Sequence, residues 1–192
     1  MTRADATRAR LLEAATEEFS RYGIAGARVD RIAAAAQANK NLIYVHYTNK
    51  DTLFRAVFEA HVVQLLGAVP FTATDLPGYA GRLYEFFREN PRLLRLAGWF
   101  RLEQGDYGEV VAQIARSNSA KVAAIARAQA EGHVDDRYPP DVVLTLVLAT
   151  SAAWGSGNPA TMSTYDGLDP KIVRLAIEAA VRGVVAGKDP AP

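Results

Sequence analysis

Cysteine is absent from the 192 residues, and that absence removes disulfides, thiolate zinc sites and cysteine nucleophiles from consideration. Histidine is nearly as scarce: His46, His61 and His133 stand singly, without the HxxxH or HExxH spacing that turns two imidazoles toward one metal. Glycine never gathers into a phosphate-cradling loop, and no Gly-x-Ser-x-Gly elbow occurs. The pair Asp135-Asp136 precedes Pro139-Pro140 and reads as a solvated turn rather than as an acid–base pair. No catalytic group, metal or cofactor is expected from this composition.

Long apolar runs are missing too. Met1 to Arg10 carries Arg3, Arg8 and Arg10 and lacks the apolar stretch of a secretory leader. The uncharged segment Val142 to Tyr165 is interrupted by Thr145, Ser151, Gly155 and Pro159, leaving an apolar part too short for a bilayer. The expectation is a cytoplasmic chain with no membrane partner.

Hydrophobic residues make up 49% of the chain and charged residues 22%, the range of ordinary globular domains. The net charge of +1 hides an asymmetry, since residues 1 to 50 hold 8 Lys+Arg against 5 Asp+Glu, or +3, leaving 14 against 16, or −2, for the remainder. The positive end is the N-terminal one, the sign that a contact with phosphate requires.

Apolar residues recur at helical spacing and β-branched alternation is scarce, so the spacing predicts an all-α fold. A first helix fits Asp5 to Tyr22, with Leu11, Leu12, Ala15 and Phe19 as its stripe, Asp5 as cap and Gly23 as a left-handed C′ residue. Short helices fit Val29 to Ala36 and Lys40 to Tyr47, joined by Gln37-Ala38-Asn39. Asn49 caps a longer one, Lys50 to about Ala68. Pro70 and Thr72 to Pro77 break the pattern; helices resume at Gly78–Asn90, Pro91–Gln104, Gly108–Glu131, Pro140–Gly155 and Pro170–Gly187. This gives a head at 1–50, a larger helical domain at 51–187 and a tail at 188–192.

Two short helices on a tight turn, packed on a preceding helix, make a helix-turn-helix whose second member can enter a major groove. At about 100° per residue, Lys40, Asn41, Tyr44 and Val45 share one half of that helix, while Leu42, Ile43, His46 and Tyr47 share the packing half. The outer half suits DNA: Lys40 for phosphate or guanine, Asn41 for adenine, Tyr44 for phosphate, Val45 for a thymine methyl. An ordinary solvated face has the same residue types.

The run from Thr7 through Leu11-Leu12, Phe19 and Tyr22-Gly23, then Val29-Asp-Arg-Ile32-Ala33, Asn39 to Tyr47 and Asn49-Lys50-Asp51-Thr52-Leu53 resembles the head of the tetracycline-repressor (TetR) family over about residues 7 to 60. The resemblance implies a homodimeric, ligand-responsive repressor of double-stranded operator DNA, released by a small-molecule inducer held in the C-terminal domain. Carried over by position, Arg28, Asn39, Tyr44, His46 and Lys50 would contact phosphates, and Lys40, Asn41 and Val45 base edges. The chain departs from the family pattern at Gln37, where Gly is usual and where the turn conformation must be tolerated by a side chain. It departs also at Ala27, Arg28, Asn41 and Tyr47, where Phe is usual in the last case.

Beyond the head no motif is specific. The segment Pro140 to Gly155 is apolar nearly all round, with Leu144, Leu148 and Trp154, and the last helix alternates small and large residues around Ile177 and Val184. Together they are expected to form a four-helix bundle between two subunits. Phe58, His61, Tyr84, Phe87, Trp99, Phe100 and Tyr107 are candidates for lining an inducer pocket, although packed core suits such aromatics equally. A helical small-molecule carrier and a small helical enzyme are the rival readings; neither predicts the head pattern.

Overall fold

The computed structural model describes residues 3–102, 108–155 and 167–186, and Tyr107 and the 188–192 tail lie outside them. The described residues are helical throughout their regular structure: α1 (Arg3–Gly26), α2 (Val29–Ala35), α3 (Lys40–His46), α4 (Lys50–Ala68), α5 (Leu76–Glu89), α6 (Pro91–Leu102), α7 (Gly108–Ala130), α8 (Pro140–Ala152) and α9 (Pro170–Val185), with a 3₁₀ turn at Ala73–Asp75.

Local chemistry sets the boundaries. Gly23 breaks α1 with φ 67° and ψ −178°, after which Ile24 turns back into the core. Asn49 caps α4, its side chain accepting from the Thr52 amide at 2.8 Å while the Thr52 hydroxyl accepts from the Asn49 amide at 3.1 Å. Pro140 and Pro170 occupy first-turn positions, where the missing N–H costs nothing. Two expectations change. Asp5 lies inside the first turn of α1, which starts at Arg3. Pro77, read as a breaker, instead belongs to the first turn of α5, capped by Asp75 accepting from the Gly78 amide at 3.0 Å.

The chain divides into two compact units, Met1–Gln64 with Pro91–Val110, and Leu65–Asn90 with Val111–Pro192. This division differs from the expected cut at residue 50. In the first unit, α1 packs on α2 and on α6, burying Leu11, Ala15, Phe19, Ile32, Leu53, Phe54 and Leu96. Phe19 meets Phe54 edge-on at 5.2 Å, and Gly23 lets the Trp99 indole sit where a Cβ would approach within 2.9 Å. The head therefore includes most of α4 and α6, because the stripe of α1 is too wide for α2 alone to cover.

In the second unit, α5 packs against α8 and α9 around Leu83, Tyr84, Val143, Leu144, Val147 and Ile177. Arg174 joins α9 to α5, donating to Glu178 at 2.8 Å and to Glu85 at 2.6 Å. Among the described residues no single helix is long and apolar enough to cross a membrane.

Candidate nucleic-acid interface

The reading surface begins with how α2 is fixed. Glu18 is i+7 from Leu11 and i+3 from Ala15, so it falls on the buried stripe of α1, and a carboxylate there needs partners. It accepts from the Arg28 amide at 2.7 Å and from Arg31 Nε at 2.9 Å. Arg31 also donates to the Gly26 carbonyl at 3.0 Å and lies over the Tyr22 ring at 4.4 Å. Burial opposes the charge on Glu18, but the bonds from Arg31 and from the Arg28 amide outweigh it and hold the carboxyl below its ordinary value. At the other end of α2, Arg10 Nε donates to the Ala36 carbonyl at 3.2 Å. None of these clamps was anticipated; the position of Glu18 on an apolar stripe was the available signal.

The turn between α2 and α3 is a Schellman motif. The Ala38 amide bonds the Ala33 carbonyl at 3.0 Å and the Gln37 amide the Ala34 carbonyl at 3.1 Å. Gln37 adopts φ 51°, the left-handed conformation that glycine supplies at lower cost. Asn39 then caps α3, its side chain accepting from the Asn41 amide at 2.8 Å.

Ile43 on α3 and Tyr47 at its C-cap are buried at 1% and 6% exposure, whereas Tyr44 and Val45 stand 47% and 75% exposed. Lys40, Asn41 and His46 are exposed as well. Leu42 and His46, both expected on the packing half, are exposed, because the short helix and its C-cap bury only the i, i+4 pair Ile43 and Tyr47. Lys40 pairs with Asp30 at 2.7 Å, and that hydrogen bond raises the pKa of its ammonium. Arg28 is exposed at the N-cap of α2. Half-buried Lys50 donates to the carbonyls of Ala25 and Ala27 at 3.2 and 3.4 Å, so it ties the start of α4 to the end of α1. The outer face of α3 thus presents a cation, a carboxamide, a phenol and a bare isopropyl group, while its inner face is locked.

The other expected site residues are dispersed. In the first unit, Phe58 stacks on Phe100 at 4.5 Å, Trp99 covers Gly23, and His61 Nε2 lies 3.3 Å from Thr16 Oγ1. Burial, then the charge of Arg92, holds His61 below its ordinary value. Tyr84 and Phe87 belong to the second unit, Tyr84 in its core. A cavity of about 290 Å³ in the second unit is lined by Leu66, Val69, Phe71, Ser117, Ala120 and Lys121, none of which was a candidate. Leu144 and Ile177, expected at a subunit interface, are buried at 4% and 0% in the protomer's own core. Leu148, Trp154 and Val184 are half-buried.

A short exposed helix on a tight turn, seated on α2, which is itself clamped to α1, defines a helix-turn-helix transcriptional regulator. The signature of bacterial regulatory proteins of the tetR family matches residues 11–57, and that of the tetracyclin repressor-like C-terminal domain matches residues 75–183. The chain belongs to the TetR family, whose members are regulators of transcription rather than enzymes. It is 44% identical over 146 residues to the HTH-type transcriptional repressor SCO4008 of Streptomyces coelicolor, covering 74% of this chain and 76% of that one. It is 26% identical over 177 residues to the HTH-type transcriptional repressor NicS of Pseudomonas putida, covering 86% and 83%. The crystal structure of SCO4942 from Streptomyces coelicolor superposes with a TM-score of 0.84 at 34% identity, over 94% of this chain and 98% of that one.

Proposed function

We propose that the chain is a cytoplasmic homodimeric repressor that seats one α3 in the major groove of each operator half-site and leaves the DNA when its C-terminal region binds a small molecule. The outer face of α3 carries this reading: Val45 at 75% exposure beside exposed Asn41 and Tyr44 is costly to leave in water yet matches the methyl and amide edges of A·T pairs. Arg28, Lys40 and His46 supply positive or donor groups around it, and Asn39 holds the first turn. An ammonium has three donors, so Lys50 can keep both carbonyls and still reach a phosphate. SCO4008 and NicS, named as repressors, favour repression over activation.

The dimer is supported by a second apolar stripe. On α9, Leu168, which precedes the helix, Ile172 and Leu175 are 46%, 61% and 64% exposed at spacings of four and three residues, opposite the buried stripe Val173, Ile177 and Val181. Neighbouring α8 exposes Val142 and Leu146. Two such faces from two copies complete a four-helix bundle.

The test is selection of genomic fragments by the purified protein, followed by titration of the enriched duplex across a salt series. An inverted repeat with half-sites about 10 bp apart, or a multiple of that, with steep salt dependence, is expected. Absence of enrichment over scrambled duplex would overturn the proposal. Asn41→Ala should change preference at particular base pairs, whereas Tyr44→Ala should weaken all sites alike.

A further inference from the structure

The cavity of the second unit sits between the end of α4, the segment after it and α7. Four of its lining side chains, Leu66, Val69, Phe71 and Ala120, are apolar. The other two are Ser117 and Lys121, one turn apart on α7. Lys121 is only 9% exposed, a rare state for a lysine. Its Nζ donates to Ser117 Oγ at 2.7 Å, and among the described residues no carboxylate pairs with it. Two of its three donors are thus left without a described partner in surroundings poor in polar groups. Burial alone pushes its pKa down from the usual lysine value.

A cation placed this way costs stability unless something compensates it. The protein supplies a hydroxyl beside the ammonium and apolar surface around it, but no negative charge. The missing element is an anion with a hydrocarbon body. We propose that this cavity binds a small apolar monocarboxylate, its carboxylate on Lys121 and Ser117 and its hydrocarbon against Leu66, Val69 and Phe71. The inference rests on the ligand-released reading above and gives it a ligand class. A volume of about 290 Å³ lies at the lower end of small-molecule sites, roughly 300–1,000 Å³, which suits a short chain or a single ring.

The test uses the full-length protein with octanoate and 4-phenylbutyrate as probes and octanol and acetate as controls, followed by calorimetry. Octanoate should bind at least tenfold more tightly than either control. Lys121→Met, which keeps an unbranched apolar stem and removes the charge, should abolish that preference while melting at a higher temperature than the parent. Ala120→Trp, which fills the cavity and leaves Lys121 in place, should block octanoate. Equal binding of octanol and octanoate, undiminished octanoate binding by Lys121→Met, or no binding of either acid overturns the proposal. Adding octanoate to the operator complex separates the two readings. Acid binding without DNA release leaves the site standing and removes its regulatory role. DNA binding intact with no acid binding leaves the repressor standing and removes the site.

Discussion

Among the described residues each unit buries one charged side chain, and the two are treated in opposite ways. Glu18 in the head meets the Arg28 amide and the Arg31 guanidinium; Lys121 in the body meets one serine hydroxyl. The same contrast holds for surfaces. The α3 helix and its C-cap bury Ile43 and Tyr47 and expose a largely polar face, while α9 keeps a full apolar stripe in water. The head is built to be complete before it meets DNA, as a reader of fixed geometry must be. The body leaves complements missing, as the proposed receiver of a ligand and a second copy needs.

The contrast can be broken most sharply at α9. Because Ile172 and Leu175 touch no core, the double change Ile172→Arg and Leu175→Arg should leave helicity intact yet reduce dimer affinity by about a hundredfold or more, since interface centres tolerate unpaired charge poorly. Sedimentation measures this, and a dimer unchanged at micromolar concentration would place the interface elsewhere.

In the head, Glu18→Ala should have the next largest effect, a loss of about 2 kcal/mol, because it strips charged hydrogen bonds from Arg31 and the Arg28 amide. The pH dependence follows from the same group. Its folded pKa lies below the ordinary 4.5, so its contribution is complete above that value and is lost as pH falls through the lower folded pKa. Acid unfolding should begin at higher pH once Glu18 is replaced by Gln, and superimposable acid transitions would refute its role as clamp.

Two smaller changes sharpen the idea of a finished head by correcting its flaws. The buried Tyr47 hydroxyl has no hydrogen-bond partner among the described residues, so Tyr47→Phe should gain about 1 kcal/mol. Gln37→Gly should gain roughly 0.5 kcal/mol, since relief of the left-handed strain exceeds the entropy that glycine adds to the unfolded chain. Denaturant midpoints test both, and a loss of stability in either would mean that the side chain has a structural task.

Much of the fold was legible because its signals are local. Asn49, Gly23, Pro140 and Pro170 mark helix ends through their own backbone chemistry, and Gln37 had to be left-handed once the turn was recognised. Pro77 misled because a proline ends one helix or begins another, and only the acceptor at Asp75 decides which. The DNA-facing half of α3 was readable for the same local reason, apart from Leu42 and His46, which geometry placed on the packing half. The body was less readable. Periodicity shows which residues share a face, but α8 and α9 each carry two apolar faces, and nothing in the spacing says that Leu144 and Ile177 face the protomer's own core while Ile172 faces outward. The aromatic candidates scattered because large rings fill cores as readily as pockets. Lys121 could have been noticed, since it shares a stripe with Ile125 and Ala128 at i+4 and i+7, and both of those are buried.

The fit of Trp99 against Gly23 has a spectroscopic consequence. The chain holds two tryptophans, Trp99 in the first unit and Trp154 in the second, so each unit carries its own fluorophore. With Trp154 replaced by Phe, the emission maximum of Trp99 becomes an optical gauge of how tightly the end of α1 is held at its glycine. Events at the operator can then be followed through Trp99 in that variant, and events in the body through Trp154 in its Trp99→Phe counterpart, without attaching a dye.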